Sequence, residues 1–218
     1  MELTISMNKN QAIEIVGSGL SDTSKMPSKS FNLSALDCIT GSKLVDVEGS
    51  VCNGCYALNG NYQRYKLPQK MKHKTSKVNN PFWVEAMLYL IKYQGNKKDK
   101  NYFRWHDSGD LQSVEHLAKI VEVCEKTPNI KHWLPTREYK IVTDFLKVGT
   151  IPNNLIIRLS AHMVDTKPPK IKNINTSSVH DNSDFFGVEC ESYKQNNECL
   201  DCRKCWDKSI SNISYKKH

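Results

Sequence analysis

Hydrophobic positions along the 218-residue chain alternate between short strand-like runs and stripes at helical spacing. Phe31, Leu33 and Ala35 alternate with polar neighbours, as in a half-buried strand that runs into Cys38. Pro81 after Asn80 marks a helix start, and Trp83, Ala86, Met87, Leu90 and Ile91 recur behind it at helical intervals. Residues 102–106 form a compact aromatic strand that ends in the polar run Asp107-Ser108-Gly109-Asp110. Val114, Leu117, Val121 and Cys124 make the next helical stripe, which stops at Thr127-Pro128. Residues 131–134 are a strand, Val142, Phe145 and Leu146 belong to a shorter helix ending near Gly149, and residues 155–160 are a further strand.

Trp105, Trp133 and Ile157 mark successive strand centres with one helix in each gap. A spacing of about 25 residues suits one strand plus one helix per unit, which predicts an α/β fold with parallel strands. Right-handed crossovers then bring the strand C-terminal ends to one rim, holding His106, Asp107, Ser108, Asp110, Arg137, Glu138, Ser160 and His162. Three or four such units predict a partial parallel (β/α) barrel over residues 31–168. Residues 1–30 are a polar N-terminal extension in which Ala12 to Val16 is a short strand or the first turn of a helix. Residues 169–218 lose periodicity after Pro168-Pro169 and read as a cysteine-rich tail held by its own thiols.

Lysine and arginine number 31 against 23 acidic residues, a net charge of +8, and 39% hydrophobic with 25% charged residues describes a folded chain rather than a disordered one. No apolar run reaches the roughly 18 residues of a membrane span, and the start lacks a signal-like core, so a cytoplasmic protein without a membrane partner is expected. Under reducing conditions eight cysteines point to metal or redox chemistry rather than disulfides. Cys38, Cys52 and Cys55 follow the first strand with the spacing C-x13-C-x2-C. Three thiolates would leave one iron of a 4Fe-4S cluster open, whereas a zinc site would need His73 or a tail cysteine as fourth ligand. Cys190, Cys199, Cys202 and Cys205 form a complete set of four, and their C-x2-C-x2-C run favours iron–sulfur over zinc. Arg203, Lys204 and Lys208 would offset the charge there, and Trp206 either shields the group from water or simply packs. Cys124 lies on an apolar stripe and has no assigned role.

Several unusual words occur in one order: Lys25-Met26-Pro27, Gly49-Ser50-Val51-Cys52, Cys55-Tyr56-Ala57-Leu58, FRWHDSGDL over 103–111, HWLPTREY over 132–139, RLSA over 158–161, and Cys202-Arg203 with Cys205-Trp206-Asp207. Together they resemble the phage gene product 88 family, which implies a phage or prophage origin and, if phage-encoded, the cytoplasm of a host cell. More distantly, a Cys-x2-Cys-Tyr-Ala loop after the first strand of a β/α barrel resembles radical S-adenosylmethionine enzymes, especially spore photoproduct lyase-like proteins. That resemblance implies S-adenosylmethionine as cofactor, with Ser108, Gly109 and Asp110 at its amino group and Arg158 and Ser160 at its carboxylate and ribose. The superfamily's usual C-x3-C-x2-C spacing is not met here.

Radical chemistry on a macromolecule is therefore the leading expectation. The alternative is a non-enzymatic iron–sulfur or zinc module that binds nucleic acid or a host protein. The best basic patch runs from Tyr62 to Lys77, where Tyr62 and Tyr65 stand among Arg64, Lys66 and Lys70; Lys72, Lys74 and Lys77, then Lys97, Lys98 and Lys100, are scattered around it. His106, Asp107 and Asp110 are a candidate hydrolytic metal site, with a buried His–Asp hydrogen bond as the bland reading. Substrate and oligomeric state are not legible.

Overall fold

The computed structural model describes residues 7–64, 66–93, 99–182 and 184–217, so Tyr65, Lys97 and Lys98 of the basic patch lie outside the described residues. Seven strands form one sheet: β1 (Ser30–Phe31), β2 (Tyr102–Trp105), β3 (Lys131–Thr136), β4 (Leu155–Ser160), β5 (Asn175–His180), β6 (Val188–Cys190) and β7 (Asn212–Lys216). Their order is β1-β2-β3-β4-β5-β7-β6 and every pairing is parallel. The helices are α1 (Lys9–Val16), α2 (Gly41–Leu44), α3 (Leu67–Lys77), α4 (Trp83–Lys92), α5 (Val114–Glu125) and α6 (Tyr139–Phe145). The sheet is not closed into a barrel; β1 and β6 are its edges.

The tail expected after residue 168 is instead three strands of the same sheet. Its strands were hidden because their buried positions are polar. Thr176 donates to Asn212, whose amide donates to Ser178, and Ser178 and His180 meet Ser214 at 3.1 and 2.8 Å. Hydrogen-bonded hydroxyls and amides fill the role that apolar side chains take elsewhere, so hydrophobic alternation carries no signal. At the other end, residues 12–16 are helical: the Asn8 side chain caps α1 and Gln11 completes the capping box. The first strand is only two residues, and Ala35–Asp37 is a 3-10 turn rather than its continuation.

One face of the sheet carries the apolar core. Phe31, Phe103, Trp105, Leu134, Ile157 and Leu159 pack there with Trp83 and Met87 of α4 and Leu117, Ile120 and Cys124 of α5. Because side chains alternate along a strand, Arg104, Trp133, Arg158 and Ser160 fall on the opposite face. The segment around Trp206 covers part of that face. The Trp206 ring meets Tyr102 and Trp133, each at 5.3 Å, and its indole donates to the Phe103 carbonyl at 2.8 Å.

The β2 end is fixed by close packing at Gly109, where φ is 73° and a Cβ would lie 2.6 Å from that of Leu33. Gly109→Ala is expected to lower stability by about 2–4 kcal/mol through positive-φ strain and overlap, read as a fall in the urea midpoint with unchanged m-value. An unchanged midpoint would show that the Leu33 segment yields freely.

Candidate metal centres

Cys38, Cys52 and Cys55 come together at the C-terminal rim of the sheet. A Cβ placed on Gly41 would lie 3.7 Å from both the Cys38 and Cys52 sulfurs and only 2.9 Å from the Cys38 Cβ, so the first turn of α2 runs directly beside the two thiols. Cys55 is tied to Cys52 by a backbone hydrogen bond of 3.2 Å. Burial foremost, then the neighbouring Asp110 and the other two thiols, push the Cys38 thiol well above its ordinary range. Burial likewise raises Cys52, with the Arg137 charge opposing it.

Long-range bonds explain how thirteen residues can intervene between the first two cysteines. Glu138 accepts from the Thr40 backbone at 2.8 Å and from the Thr40 hydroxyl at 2.7 Å, clamping the Cys38 turn to the end of β3. Val51 donates to the His162 carbonyl and Val164 to the Gly49 carbonyl, docking the Cys52 loop beyond β4. Tyr56 and Tyr62 fold over Asp107. The Tyr56 hydroxyl reaches the Asp107 carbonyl while 53% of the residue's surface stays exposed, and Tyr62 donates to the Asp107 carboxylate at 3.3 Å.

The five residues expected to hold a cofactor already have partners within the chain. Ser108 donates to the Leu33 carbonyl at 2.9 Å, and Gly109 packs on the same residue. The Asp110 carboxylate accepts from the Thr136 hydroxyl and from the Arg137 and Leu111 amides. Ser160 pairs with Ser177 at 2.9 Å. Arg158 corrects the expectation most firmly. It is fully buried, and its five N–H groups point at the carbonyls of Cys205, Thr176, Ile210, Lys204 and Asp207. A guanidinium has five donors, so none is left for a carboxylate.

Arg158 thereby pins the segment of Cys205 onto the open face. Cys190 lies opposite Tyr215 in the β6–β7 register, and the Tyr215 hydroxyl is 3.3 Å from the Cys205 sulfur. Cys202 donates its amide to the Cys199 carbonyl, and Cys199 donates its own to Lys25. Its sulfur rests 3.8 Å from that of Met26. Burial pushes the Cys205 thiol up to about 12, with Cys190 and Cys199 adding to the rise. Trp206 packs in a ring cluster, the blander of its two expected roles, and Arg203 pairs with Asp99 at 3.2 Å.

Other expectations are revised. His73 packs beside Gly17, and Cys124 is buried in the core. His106 turns to the helix side against His116, 5.3 Å between rings, whereas Asp107 accepts from Ser30 and Tyr62. Neither His106 nitrogen has a partner, so the proposed His–Asp bond is absent and the two residues do not share a hydrolytic site. Lys74 leaves the basic patch: it is 2% exposed, donates to Asn32 at 2.5 Å and lies over the Phe31 ring. Among the described residues no group of three or more His, Cys, Asp or Glu side chains is arranged to hold a metal ion, and no helix is long and apolar enough to cross a membrane.

The words that build both cysteine sets are matched together: the family model for Gene product 88 aligns with residues 5–208. The chain belongs to the phage gene product 88 family. Comparisons with curated proteins and with solved structures return no match. In this gene product 88 chain the distinctive words are parts of one apparatus. Lys25 and Met26 meet Cys199, Gly49 to Val51 dock the Cys52 loop, Glu138 of HWLPTREY holds Thr40, and Arg158 of RLSA holds the Cys205 segment.

Asp110 gives the gene product 88 rim a measurable pH dependence. Burial pushes its carboxyl up to about 6, against three hydrogen bonds that lower it. A native value above the unfolded one means that the native state holds the proton more tightly. The linked stability is therefore present below the ordinary carboxylate range and is lost as pH rises through about 6. The stability difference between wild type and Asp110→Asn should fall by roughly 2 kcal/mol from about pH 4 to pH 7 in urea titrations. A difference independent of pH would refute it.

Proposed function

We propose that this chain is an iron–sulfur protein of the radical S-adenosylmethionine kind, acting on a macromolecular substrate. The observation that carries the reading is the meeting of Cys38 with Cys52 and Cys55 at the strand C-terminal rim, despite thirteen residues between the first two. The donor chemistry suits iron: three free thiols, two of which, Cys38 and Cys52, sit where burial disfavours uncompensated thiolates and a cation would stabilise them, although among the described residues the side chains as they stand are not set in ligating geometry. Cys38, Cys52 and Cys55 would hold a 4Fe-4S cluster with one iron free of protein ligands. When bound, such a cluster supplies the electron that cleaves S-adenosylmethionine reductively.

The chain's own residues prepare that position. Glu138 and Thr40 fix Cys38, the Gly49 to Val51 pairing fixes Cys52, and the Tyr56 and Tyr62 rings form a partly exposed roof. Asp110 and Ser160 remain at the rim as groups lining a cofactor, with Ser108 and Gly109 shaping the β2 end beneath. Arg158 drops out of this role. The unclosed sheet suits a bulky substrate better than a sealed cavity would.

A second reading is favoured by one observation. Arg158 holds the Cys205 segment and Lys25-Met26 holds Cys199, so Cys190, Cys199, Cys202 and Cys205 read as a staple for the fold. A metal-stabilised module that binds nucleic acid or a host protein would need only that staple. Oxygen-free purification with iron, sulfide and zinc analysis separates the metals. Dithionite and S-adenosylmethionine are then added, and 5′-deoxyadenosine is measured. Its formation is the expected result; its absence from protein replete in clusters leaves the module.

A further inference from the structure

Between Glu48 and Glu85 the chain has no acidic residue, yet it carries Arg64 and five lysines. Helical spacing sorts them into two faces. Met71, Lys74, Thr75 and Val78 recur at i, i+3, i+4 and i+7 and turn inward: Ser108 donates to the Met71 sulfur at 3.7 Å, Lys74 donates to Asn32 at 2.5 Å, and the Thr75 hydroxyl accepts from the Ser34 amide at 3.1 Å. Lys70, His73 and Lys77 then fall along one outer flank of α3, Lys72 lies on the other, and Arg64 stands in the loop before it. Arg64, Lys70 and Lys72 are exposed and Lys77 is half-buried. Among the described residues none of these four cations makes an ion pair, whereas Lys140, Lys147 and Lys194 do. The carboxylates on the elements packed against α3 are Glu14 of α1 and Asp37 of the 35–37 turn, and Asp107 is buried beneath the tyrosine roof, where it receives Ser30 and Tyr62. With Lys66 and Lys74 the strip holds six cations beside those three carboxylates.

A separate observation concerns Tyr56. Tyrosine ordinarily buries its ring and leaves its hydroxyl at water. Tyr56 does the reverse: the Asp107 carbonyl accepts its hydroxyl, while over half of the residue's surface stays exposed. The Tyr62 ring braces it edge-on, 5.6 Å between centroids and 64° between planes. Tyr62 is fixed in turn on the Asp107 carboxylate and belongs to the 3-10 turn Gly60–Gln63, which leads into α3. Tyr56 is seated on Asp107 and Met71 of α3 on Ser108, so the open ring and the charged helix rest on consecutive residues of the rim. Cys55 directly precedes the ring. Of the two tyrosines expected to stack on bases, Tyr62 serves as the brace, and the ring open to a base is that of Tyr56.

We infer that Tyr56 and the outer flank of α3 bind single-stranded nucleic acid, one base stacking on the Tyr56 ring and the adjoining phosphates lying along Arg64, Lys70 and Lys77. A basic strip beside a fixed, solvent-facing aromatic ring is the combination that holds a strand by backbone charge and base stacking together. The strand is single because a base paired within a duplex has no free face to offer the ring. The anchored hydroxyl holds the ring in place before binding, so little side-chain entropy is lost on contact. α3 is 11 residues long, about 16 Å, which suits a segment of a few nucleotides. As the substrate of the rim, nucleic acid rests on the radical reading; as a ligand of this surface it does not depend on the cysteines.

The test is fluorescence anisotropy of the full chain, purified without oxygen, with a labelled oligothymidylate of about 12 nucleotides and with a duplex of equal length, each over a series of salt concentrations. The single strand is expected to bind at least about tenfold more tightly than the duplex. Lys70→Gln combined with Lys77→Gln should weaken it about tenfold or more and flatten the dependence of log affinity on log salt by roughly 1.4, the share of two phosphate contacts. Tyr56→Leu should weaken it by about fivefold or more with the salt slope unchanged, and Tyr56→Phe, which keeps the ring, should recover most of that loss. Lys140→Gln combined with Lys147→Gln, on α6, should leave affinity within about twofold. No binding of the single strand, equal binding of the duplex, or equal weakening by the α3 and α6 pairs would overturn the proposal. Binding as expected without 5′-deoxyadenosine formation would uphold the surface and remove the radical chemistry; 5′-deoxyadenosine without strand binding would do the opposite.

Discussion

On the proposed iron–sulfur reading, Cys52→Ser, purified without oxygen, is expected to lose S-adenosylmethionine cleavage to background while keeping the iron assigned to Cys190, Cys199, Cys202 and Cys205. The reason is spatial. Cys52 is buried beside Cys38 at the rim, whereas Cys205 is held by Arg158, Cys199 by Lys25 and Met26, and Cys190 lies beside β7, behind a separate set of hydrogen bonds. A hydroxyl is a poor substitute for a thiolate at iron, and a three-ligand site has no spare ligand to lose. Cys205→Ser should act in reverse, removing the second iron complement. Cys124→Ala should leave iron unchanged, because that thiol is core filling against Trp105. Iron and sulfide per chain, with 5′-deoxyadenosine yield, read all three variants. Full iron and activity in Cys52→Ser would sink the rim cluster; equal loss of iron in Cys52→Ser and Cys205→Ser would mean that the two sets are one.

The elements with apolar faces were legible from the chain alone. Residues 114–125 and 155–160 have their hydrophobic positions where a helix and a buried strand require them, and they fold so. The last three strands were not legible, because Thr176, Ser178, Asn212 and Ser214 bury polar groups against one another and leave no hydrophobic period to read. The convergence of Cys38 with Cys52 and Cys55 was visible only as a grouping in sequence; the Glu138–Thr40 clamp that enforces it spans 98 residues and has no local signature. Arg158 was expected to hold a cofactor carboxylate, and its five donors are instead taken by backbone carbonyls. A buried arginine that binds a solvent-borne carboxylate and one that binds carbonyls 46 to 52 residues downstream look identical in sequence.

That distinction sets the second large effect. Arg158→Met should destabilise the protein by about 3–5 kcal/mol, since methionine matches the volume of this fully buried side chain but strands five carbonyls at once. Four of those carbonyls, from Lys204, Cys205, Asp207 and Ile210, shape the loop that presents Cys205, so the iron or zinc of the second set should fall with stability. Arg158→Lys tests geometry against charge. An ammonium keeps the charge but offers three donors on a flexible stem, too few for five fixed acceptors, so it should recover less than half of the loss. Urea midpoints with metal content per chain measure both effects. If Arg158 instead bound a cofactor carboxylate, Arg158→Met would leave the midpoint within about 0.5 kcal/mol and raise only the KM for that cofactor. The two outcomes lie on different axes, so one pair of variants decides whether β4 anchors the Cys205 segment or faces the proposed chemistry.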